Sequence, residues 1–457
     1  MGRRNPGSRC HLAVLLAGLA GVASLAGLVA GNSVASAAQA PGRYVAFCAA
    51  GEPDRAGADC VHVLEMGASG ARRVLILVPG HSEGAGMFRD VGSYLSHAVP
   101  DTQVWAFDRR EQNLVDSSRF GRDGELSYYL NAHYRAVSAD TAAGTRDWGL
   151  AMELGELRRV VLAAGAAGRQ VFLGGHSSGA GTAIAYAAWD FSGTPGYQGL
   201  AGLVLIDGGA HGSFDGEQYK YPALQSVQEV EAKLVKIRQA SSPFTGDLGY
   251  VWQVPGAPES VPIDYQLVAD YARRDPHGAS SLQGLLPAAM RPPFRVTNAA
   301  LLGWLLDTHA PAPDLQLHAG HVDPGGALHD WINDGPADIE EVAAAFAQSR
   351  PAAEEWYWPR RLSLDLIAVD PMVDSPITRR LGLRLTHARD IDAPLYVFET
   401  GLTHGTVVQA AQWVVANSRI REHVYVTDDS MVHLDPMFDA PGRNRFLTTV
   451  AGFLQKP

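Results

Sequence analysis

Residues 170–189 read QVFLGGHSSGAGTAIAYAAW, and the rest of the chain is organised around this stretch. The apolar run 171–173 predicts a short buried strand, and the small residues 180–188 predict a helix. Between them lies the pattern Gly-x-Ser-x-Gly, with Ser177 at its centre. A turn this short brings the strand and the helix close together, and the glycines on either side of Ser177 let them approach without Cβ clashes. Ser177 would lie at the helix N-terminus, where the helix dipole favours developing negative charge.

This strand–turn–helix resembles the nucleophile elbow of the α/β-hydrolase family, and the resemblance extends from about residue 43 to the C-terminus. A second Gly-x-Ser-x-Gly pattern, centred on Ser82, follows the apolar run 74–78. The family carries its nucleophile after the fifth strand. About four strand-like runs precede the strand of Ser177, whereas only two or three precede Ser82. Chain order therefore favours Ser177 as the nucleophile.

Strand-like and helix-like runs alternate between residues 71 and 207, as a mostly parallel sheet requires. The strand-like runs of this region are continuously apolar, which is typical of strands covered on both faces. Together with the runs before and after this region, the predicted strands are Arg43–Phe47, Val61–Glu65, Val74–Val78, Gln103–Phe107, Val171–Leu173, Gly202–Ile206, Leu395–Phe398 and Val424–Val426. The expected fold class is α/β, with the α/β-hydrolase sheet flanked by helices. The strand order is implied by the resemblance alone.

The first 37 residues predict an export signal. Three arginines precede an apolar run over residues 11–30, and Ala35-Ser36-Ala37 supplies the small residues of a cleavage site. The alternative is an uncleaved membrane anchor, because the run approaches the length that spans a bilayer. We expect cleavage after Ala37, a secreted protein, and no stable membrane insertion afterwards.

Cysteine usage agrees with export. Cys48 and Cys60 remain after the predicted cleavage, one at the end of the first predicted strand and one at the start of the second. In an oxidising compartment this pair predicts a disulfide, and two free buried thiols are the alternative.

The charge of the chain limits its partners. The formal net charge is −11, and loss of the three arginines of the signal takes it to −14. Nucleic acids and anionic membranes bind proteins through Lys and Arg, so we expect neither as a partner. A small-molecule or polymeric substrate is expected instead, and the chemistry implied by the resemblance needs no cofactor or metal.

The loop after the strand 74–78 is a candidate for the oxyanion hole. Two preorganised backbone N–H groups stabilise the negative oxygen of a tetrahedral intermediate. By position, the resemblance implies the N–H groups of His81 and Ser178. A glycine-rich turn that only reverses the chain is the alternative reading of residues 79–84. We interpret the neighbouring Asp108-Arg109-Arg110 as structural bracing.

The resemblance implies that the catalytic base follows the last strand. Residues 424–426 form that predicted strand, and His433 lies in the loop behind it. His433 is therefore the predicted base. Its chief rivals among the sixteen histidines are His176, His321 and His404.

The carboxylate that orients this base is less well determined. Most family members carry it after the seventh strand, where this chain has Glu399 and no aspartate, with Gly401 near the usual position. A minority, including pancreatic-type lipases and secreted platelet-activating-factor acetylhydrolases, carry it after the sixth strand. Asp207 follows that strand here. We favour Asp207 and keep Glu399 as the alternative acid.

About 180 residues after Gly208 do not continue the strand–helix alternation. They contain helix-like segments separated by Pro- and Gly-rich turns, and insertions at this point are lids in the family. The predicted organisation is a signal peptide (1–37), the first part of the core (38–210), a mainly helical lid (211–390) and the rest of the core (391–457). Five tryptophans in the lid favour a substrate with an apolar part: Trp252, Trp304, Trp331, Trp356 and Trp358. The alternative is that these side chains form the core of the lid itself.

These features together predict a secreted serine hydrolase that cleaves a carboxylic ester. Ser177 would attack the carbonyl, His433 would take and return the proton, and Asp207 would orient His433. Acyl transfer, lactone cleavage and peptide cleavage use the same acyl-enzyme and stay open. A hydrolase-like binding protein without catalysis is the alternative from another class.

Overall fold

The centre of the protein is one eight-stranded sheet. The computed structural model describes residues 42–49, 60–216, 223–245, 257–307 and 317–456. The strands of the sheet are β1 (Arg43–Cys48), β2 (Cys60–Met66), β3 (Arg73–Val78), β4 (Thr102–Asp108), β5 (Gln170–His176), β6 (Leu200–Ile206), β7 (Leu395–Thr400) and β8 (His423–Asp428).

Strand order and direction give a mostly parallel sheet. The order is β1-β2-β4-β3-β5-β6-β7-β8. β2 runs antiparallel to both β1 and β4, and the pairs from β4–β3 to β7–β8 are parallel. All eight predicted strands are present, and the expected α/β class is confirmed. Because parallel strands align their carboxyl ends, the loops after β3, β5, β6, β7 and β8 meet at one edge of the sheet.

The helices are α1 (Arg89–Ala98), α2 (Glu125–Leu130), α3 (Ala139–Gly144), α4 (Leu150–Ala164), α5 (Ser178–Ala188), α6 (Val227–Gln239), α7 (Ser260–Arg274), α8 (Asn298–Leu306), α9 (Ile339–Phe346), α10 (Arg360–Val369), α11 (Pro376–Leu381), α12 (Thr406–Ala416), α13 (Asp435–Phe438) and α14 (Arg445–Leu454). The sequence predicts helices over 87–97, 148–164, 223–239, 265–273 and 443–454, and each of these begins at a different residue in the structure. The helix expected from Ala223 begins at Val227, because Ser226 caps it by accepting from the N–H of Glu229. The helix expected from Met87 begins at Arg89, after a 3₁₀ turn.

Both faces of the sheet are covered by apolar side chains, which explains why the strands read as continuous apolar runs. In β3, Leu75 and Leu77 belong to one buried cluster, and Val74 and Ile76 belong to the other. The first cluster includes side chains of α1 and α14, and the second includes those of α4, α5 and α12. Alternate side chains of a strand point to opposite faces, so a strand that is covered on both faces needs apolar residues at successive positions.

A long insertion separates β6 from β7. It carries α6 to α11 and short two-residue strands. Side chains of α7, α8 and α9 belong to the cluster on the face of α1, whereas those of α6, α10 and α11 belong to the cluster on the other face. The insertion therefore packs on both sides of the sheet. Of its described tryptophans, Trp331, Trp356 and Trp358 are buried and Trp304 is half-buried.

The predicted disulfide is confirmed. Cys48 and Cys60 are bonded and lie opposite each other in the β1–β2 register. The bond ties the edge strand β1, which is partly exposed along its length, to the buried strand β2. It therefore fixes the outermost strand to the sheet.

Loss of this disulfide should destabilise the protein without disturbing the sheet. We expect Cys48→Ser combined with Cys60→Ala to lower the free energy of unfolding by about 2 to 3 kcal/mol, because a cross-link over a short loop restricts the unfolded chain. Urea unfolding of oxidised wild type and double variant measures the difference. Equal midpoints and slopes for the two proteins would contradict this expectation.

The predicted signal peptide (1–37) lies outside the described residues. Within the described part of the chain, we find no helix with the length and apolar character needed to cross a bilayer.

Candidate active site

Ser177 lies in the sharp turn between β5 and α5. Its φ of 55° and ψ of −126° are unusual for a residue with a side chain, and such strain persists only where the surroundings enforce it. A β-carbon at Gly175 would overlap the backbone of Gly179, and one at Gly179 would overlap the carbonyl of Val78. The two glycines of the motif are thus required by close backbone packing, as the sequence predicts.

Loops from two neighbouring strands close on Ser177. Its backbone N–H donates to the carbonyl of Ile206 at 2.9 Å, and a β-carbon at Gly208 would overlap the Ser177 backbone. On the other side, a β-carbon at Gly80 would lie 2.9 Å from the Ser177 Cβ. The serine therefore lies between the loop after β3 and the loop after β6.

The structure brings Asp207 and His433 together. His433 Nδ1 lies 2.6 Å from Asp207 Oδ2, and both side chains are buried. Asp207 also accepts two hydrogen bonds from Thr400, one from its N–H and one from its hydroxyl, each at 2.7 Å. Asp207 directly follows Ile206, the residue that bonds the backbone of Ser177. The carboxylate, imidazole and strained serine thus occupy one small region at the edge of the sheet.

The surroundings of Asp207 favour its charged form. Burial raises the pKa of this carboxyl, but the contact with His433 and the bonds from Thr400 outweigh burial and leave the pKa below its ordinary value. A depressed pKa means that Asp207 contributes stability above the ordinary aspartate pKa of about 4 and loses it as pH falls through the lower folded value. Asp207 is therefore a carboxylate, able to stabilise an imidazolium, at any pH near neutrality.

Glu399 has a different set of partners. Its carboxylate accepts from the Thr403 hydroxyl at 2.6 Å and from the N–H groups of Val407 and Val408 at 3.1 and 2.9 Å. These N–H groups belong to the first turn of α12, whose donors have no partner inside the helix. Glu399 therefore caps α12, whereas the carboxylate at His433 Nδ1 is that of Asp207.

The rival histidines lie in other environments. His321 is exposed and contacts Asp334 in a short two-stranded sheet of the insertion, and His404 is exposed in the loop after β7. His176 is fully buried, with Nδ1 2.7 Å from Glu83 and Nε2 2.9 Å from the carbonyl oxygen of His433. Its ring centroid lies 4.3 Å from that of His433.

The loop that carries His433 is anchored by Asp435. The carboxylate of Asp435 accepts from the N–H of Val432 at 2.7 Å, and from the N–H and Nδ1 of His318 at 2.7 and 3.0 Å. The hydrogen bond to Asp435 raises the pKa of His318. Because His318 belongs to the insertion, the insertion helps to hold the loop of the predicted base.

The loop after β3 is braced from inside the protein by Arg109. The buried guanidinium donates to the carbonyls of Pro79, Gly80 and Glu83 and pairs with Glu153 and Glu355. This agrees with the interpretation of Asp108-Arg109-Arg110 as bracing. The second Gly-x-Ser-x-Gly pattern belongs to this loop, in which the carbonyl of Ser82 accepts from the N–H of Glu355. A 3₁₀ turn follows it, in contrast to the long helix after Ser177.

A cavity of about 370 Å³ opens beside the two predicted oxyanion-hole residues. His81 and Ser178 both line it, and the His81 ring packs edge-on against Trp358 with centroids 4.1 Å apart. The loop 209–215 forms a second wall, and α10 with the residues after it forms a third. The insertion thus contributes directly to the wall of this cavity, and most of the lining surface is apolar.

Sequence reasoning missed two contributors to this site. Thr400 binds Asp207 with its N–H and its hydroxyl, and Glu83 binds His176. Thr400 ends β7, beside β6 in the sheet, so a polar residue at that strand end was a usable signal. Glu83 lies 93 residues from His176, and no local pattern joins them.

Comparison with known proteins gives structural neighbours only. No protein-family model matches the chain, and no curated protein matches its sequence. A candidate lipase from Sulfolobus solfataricus is similar in structure, with 15% identity, 91% of this chain and 94% of that chain covered, and a TM-score of 0.47. Epoxide hydrolase A from Mycobacterium thermoresistibile has 15% identity, coverages of 91% and 98%, and a TM-score of 0.41. The monoacylglycerol lipase of Paleococcus ferrophilus has 13% identity, coverages of 86% and 98%, and a TM-score of 0.41.

The topology of the chain itself identifies its fold. The sheet order β1-β2-β4-β3-β5-β6-β7-β8 has its first two strands at one edge, with β2 antiparallel to its neighbours. A strained serine follows the fifth strand and begins a helix, and a histidine follows the eighth. The chain has the α/β-hydrolase fold, with a long insertion between the sixth and seventh strands of its sheet.

Proposed function

We propose that this protein is a serine hydrolase that cleaves a carboxylic ester through an acyl-enzyme on Ser177. The observation that carries the proposal is the 2.6 Å contact between His433 and Asp207, beside a serine in a strained strand-to-helix turn. A neutral imidazole with a carboxylate at Nδ1 has its proton on that nitrogen, so Nε2 is the nitrogen that accepts a further proton.

The proposed reaction has two steps. His433 Nε2 takes the proton of the Ser177 hydroxyl as its oxygen attacks the ester carbonyl, and the imidazolium is stabilised by Asp207. Collapse of the tetrahedral intermediate expels the alcohol, which receives the proton from His433. Water, activated by the same histidine, then attacks the acyl-enzyme, and the acid is released. The backbone N–H groups of His81 and Ser178 are the proposed donors to the negative oxygen.

The cavity supports an ester with an apolar part. His81 and Ser178 are among the residues that line it, and its lining surface is mostly apolar. A volume of about 370 Å³ is within the range of small-molecule pockets. We further infer that the insertion acts as the lid and that the substrate is met outside the cell, after removal of residues 1–37. The acidic mature chain is poorly suited to nucleic acid as a partner.

Covalent labelling tests the proposed nucleophile. A fluorophosphonate probe reacts with an activated serine and mimics the first tetrahedral intermediate. We expect the wild type to be labelled and Ser177→Ala not to be, with hydrolysis of short p-nitrophenyl esters lost in parallel. A folded wild type that is neither labelled nor active on any ester would overturn the proposal in favour of a binding protein.

The charge of the cavity wall predicts a preference among acyl groups. Asp215 and Asp370 lie in this wall, and no Lys or Arg is among the described residues that line it. Like charges brought together at low dielectric are costly. At pH 8 we therefore expect p-nitrophenyl hexanoate to exceed mono-p-nitrophenyl adipate in kcat/KM by at least about tenfold.

Asp370→Asn is the matched variant for this preference. The amide oxygen of asparagine can still accept from the N–H of Gly212, which the aspartate binds at 3.1 Å. We expect the ratio of kcat/KM for the neutral ester to kcat/KM for the anionic ester to be smaller in this variant than in the wild type. Equal kcat/KM for both esters in the wild type would show that the wall does not select by charge.

A further inference from the structure

A second buried histidine–carboxylate pair lies next to Asp207 and His433. We propose that Glu83 and His176 are positioning residues of this hydrolase, which couple the loop of the oxyanion donors to the loop of the base. The inference rests on the proposed function. It concerns two residues that touch neither the nucleophile's hydroxyl nor the substrate in the reaction given above.

The pair forms a continuous chain of hydrogen bonds between the two loops. Glu83 Oε2 accepts from the N–H of Gly80 at 2.6 Å, and Glu83 Oε1 lies 2.7 Å from His176 Nδ1. His176 Nε2 in turn lies 2.9 Å from the carbonyl oxygen of His433. One end of the chain is therefore the residue before His81, and the other end is the backbone of the base itself.

The protons of this chain can be assigned from its end groups. A carbonyl oxygen only accepts, so His176 Nε2 carries a proton and donates it to His433. Burial raises the pKa of Glu83, but His176 and the N–H of Gly80 outweigh burial and hold the pKa below its ordinary value. Glu83 is thus a carboxylate, and its two hydrogen-bond partners are the N–H of Gly80 and Nδ1 of His176.

Because the side chains of Glu83 and His176 are both buried, their hydrogen bonds allow little displacement of the two loops. His176 is 0% exposed and Glu83 is 4% exposed, so neither can exchange its partner for bulk water. A buried polar group left without its partner costs about 1 to 3 kcal/mol, and more if it is charged. The two loops therefore cannot shift relative to each other without breaking a costly bond.

The positions at the two ends explain why this coupling affects catalysis. Displacing Gly80 moves the adjacent N–H of His81, and displacing the His433 backbone moves its Nε2 relative to Ser177. Misplacement of catalytic groups by about 1 Å can cost about 10²-fold in rate. Because both groups act on the transition state, the loss should fall on kcat and leave KM nearly unchanged.

Two substitutions of Glu83 separate reach from charge. Glu83→Asp keeps the charge but is shorter by one methylene, so it cannot hold both Gly80 and His176. Glu83→Gln loses the charge but keeps the reach. Its amide oxygen can accept from Gly80, and its NH₂ can donate to Nδ1 of a neutral His176, which still donates from Nε2 to His433.

The experiment compares kcat and KM of both variants on p-nitrophenyl butyrate, with circular dichroism to verify folding. We expect Glu83→Asp to lose about 10- to 100-fold in kcat with KM within about threefold. We expect Glu83→Gln to keep kcat at least about tenfold above Glu83→Asp. A higher kcat in the variant that keeps the hydrogen bonds but loses the charge is the result that a positioning role requires.

Other results would overturn the proposal. They are a wild-type kcat in Glu83→Asp, equal kcat in both variants, or a loss confined to KM. If Glu83→Asp does not fold, a kcat loss above tenfold in folded Glu83→Gln is enough to overturn the proposal. His176→Phe then replaces Glu83→Asp as the test, because phenylalanine fills the ring volume without polar atoms. We expect folded His176→Phe to show the loss of about 10- to 100-fold in kcat that is expected for Glu83→Asp. Failure of the proposed function looks different, because the wild type itself would then resist the fluorophosphonate probe.

Discussion

Ser177→Ala is expected to lower turnover of p-nitrophenyl esters by about 10⁵- to 10⁶-fold. In the proposed reaction, the variant removes the atom that forms the acyl-enzyme, so the ester would have to be attacked directly by water. Groups of a triad act as a unit, and loss of the nucleophile alone costs nearly as much as loss of the whole set. The residual rate would come from oxyanion stabilisation and substrate binding. Initial rates at saturating ester, with wild type diluted into the variant as a contamination standard, measure the loss.

Ser82→Ala is the matched control, because this serine is the centre of the chain's other Gly-x-Ser-x-Gly pattern. Ser82 lies in the loop after β3, and its carbonyl bonds the insertion at Glu355. Any loss in this variant should be at least about 10³-fold smaller than that of Ser177→Ala, and the variant should still be labelled by the fluorophosphonate. The opposite pattern, a labelled Ser177→Ala and an unlabelled Ser82→Ala, would exchange the roles of the two serines.

The strands of this protein were predictable because their environment is uniform. The inner parallel strands are covered on both faces, so their central positions are mainly apolar and each run stands out from the polar connections. The helix starts were less predictable, because a cap such as Ser226 or a preceding 3₁₀ turn sets the first residue locally. The short helices of the insertion carry too few turns for a periodic signal.

The residues of the candidate site also differ in how far the sequence could predict them. Ser177 could be predicted because its motif is local, with glycines that the close packing of β5, α5 and β3 requires. His433 could be predicted from its place after the last strand. For the acid, the sequence favoured Asp207 but left Glu399 open, because Asp207 directly follows β6 and Glu399 lies near the end of the adjacent strand β7, and only the tertiary partners distinguish them. The pairing of Glu83 with His176 was equally hidden by its long separation in the chain.

The second large effect is expected for Asp207→Asn, which should lower turnover by about 10²- to 10⁴-fold with the fold intact. Asparagine keeps the shape, and its amide oxygen can still accept from the N–H of Thr400. Its NH₂ would then face His433 Nδ1, which must accept in place of donating. The proton of the neutral imidazole moves to Nε2, the nitrogen that has to take the proton of Ser177. The base is held in the wrong tautomer, and the imidazolium loses its counter-charge.

Glu399→Gln provides the contrast, since it removes the other carboxylate. Glu399 accepts from three donors, so a glutamine NH₂ would face the N–H of Val408 or of Val407. We expect a lower Tm, from an unsatisfied donor at the start of α12, and turnover per folded molecule within about threefold of wild type. Steady-state kinetics and thermal unfolding of Asp207→Asn and Glu399→Gln together show which carboxylate orients His433. A collapse of kcat in Glu399→Gln with near-normal kcat in Asp207→Asn would transfer the role to Glu399, despite the 2.6 Å contact that now links Asp207 to His433.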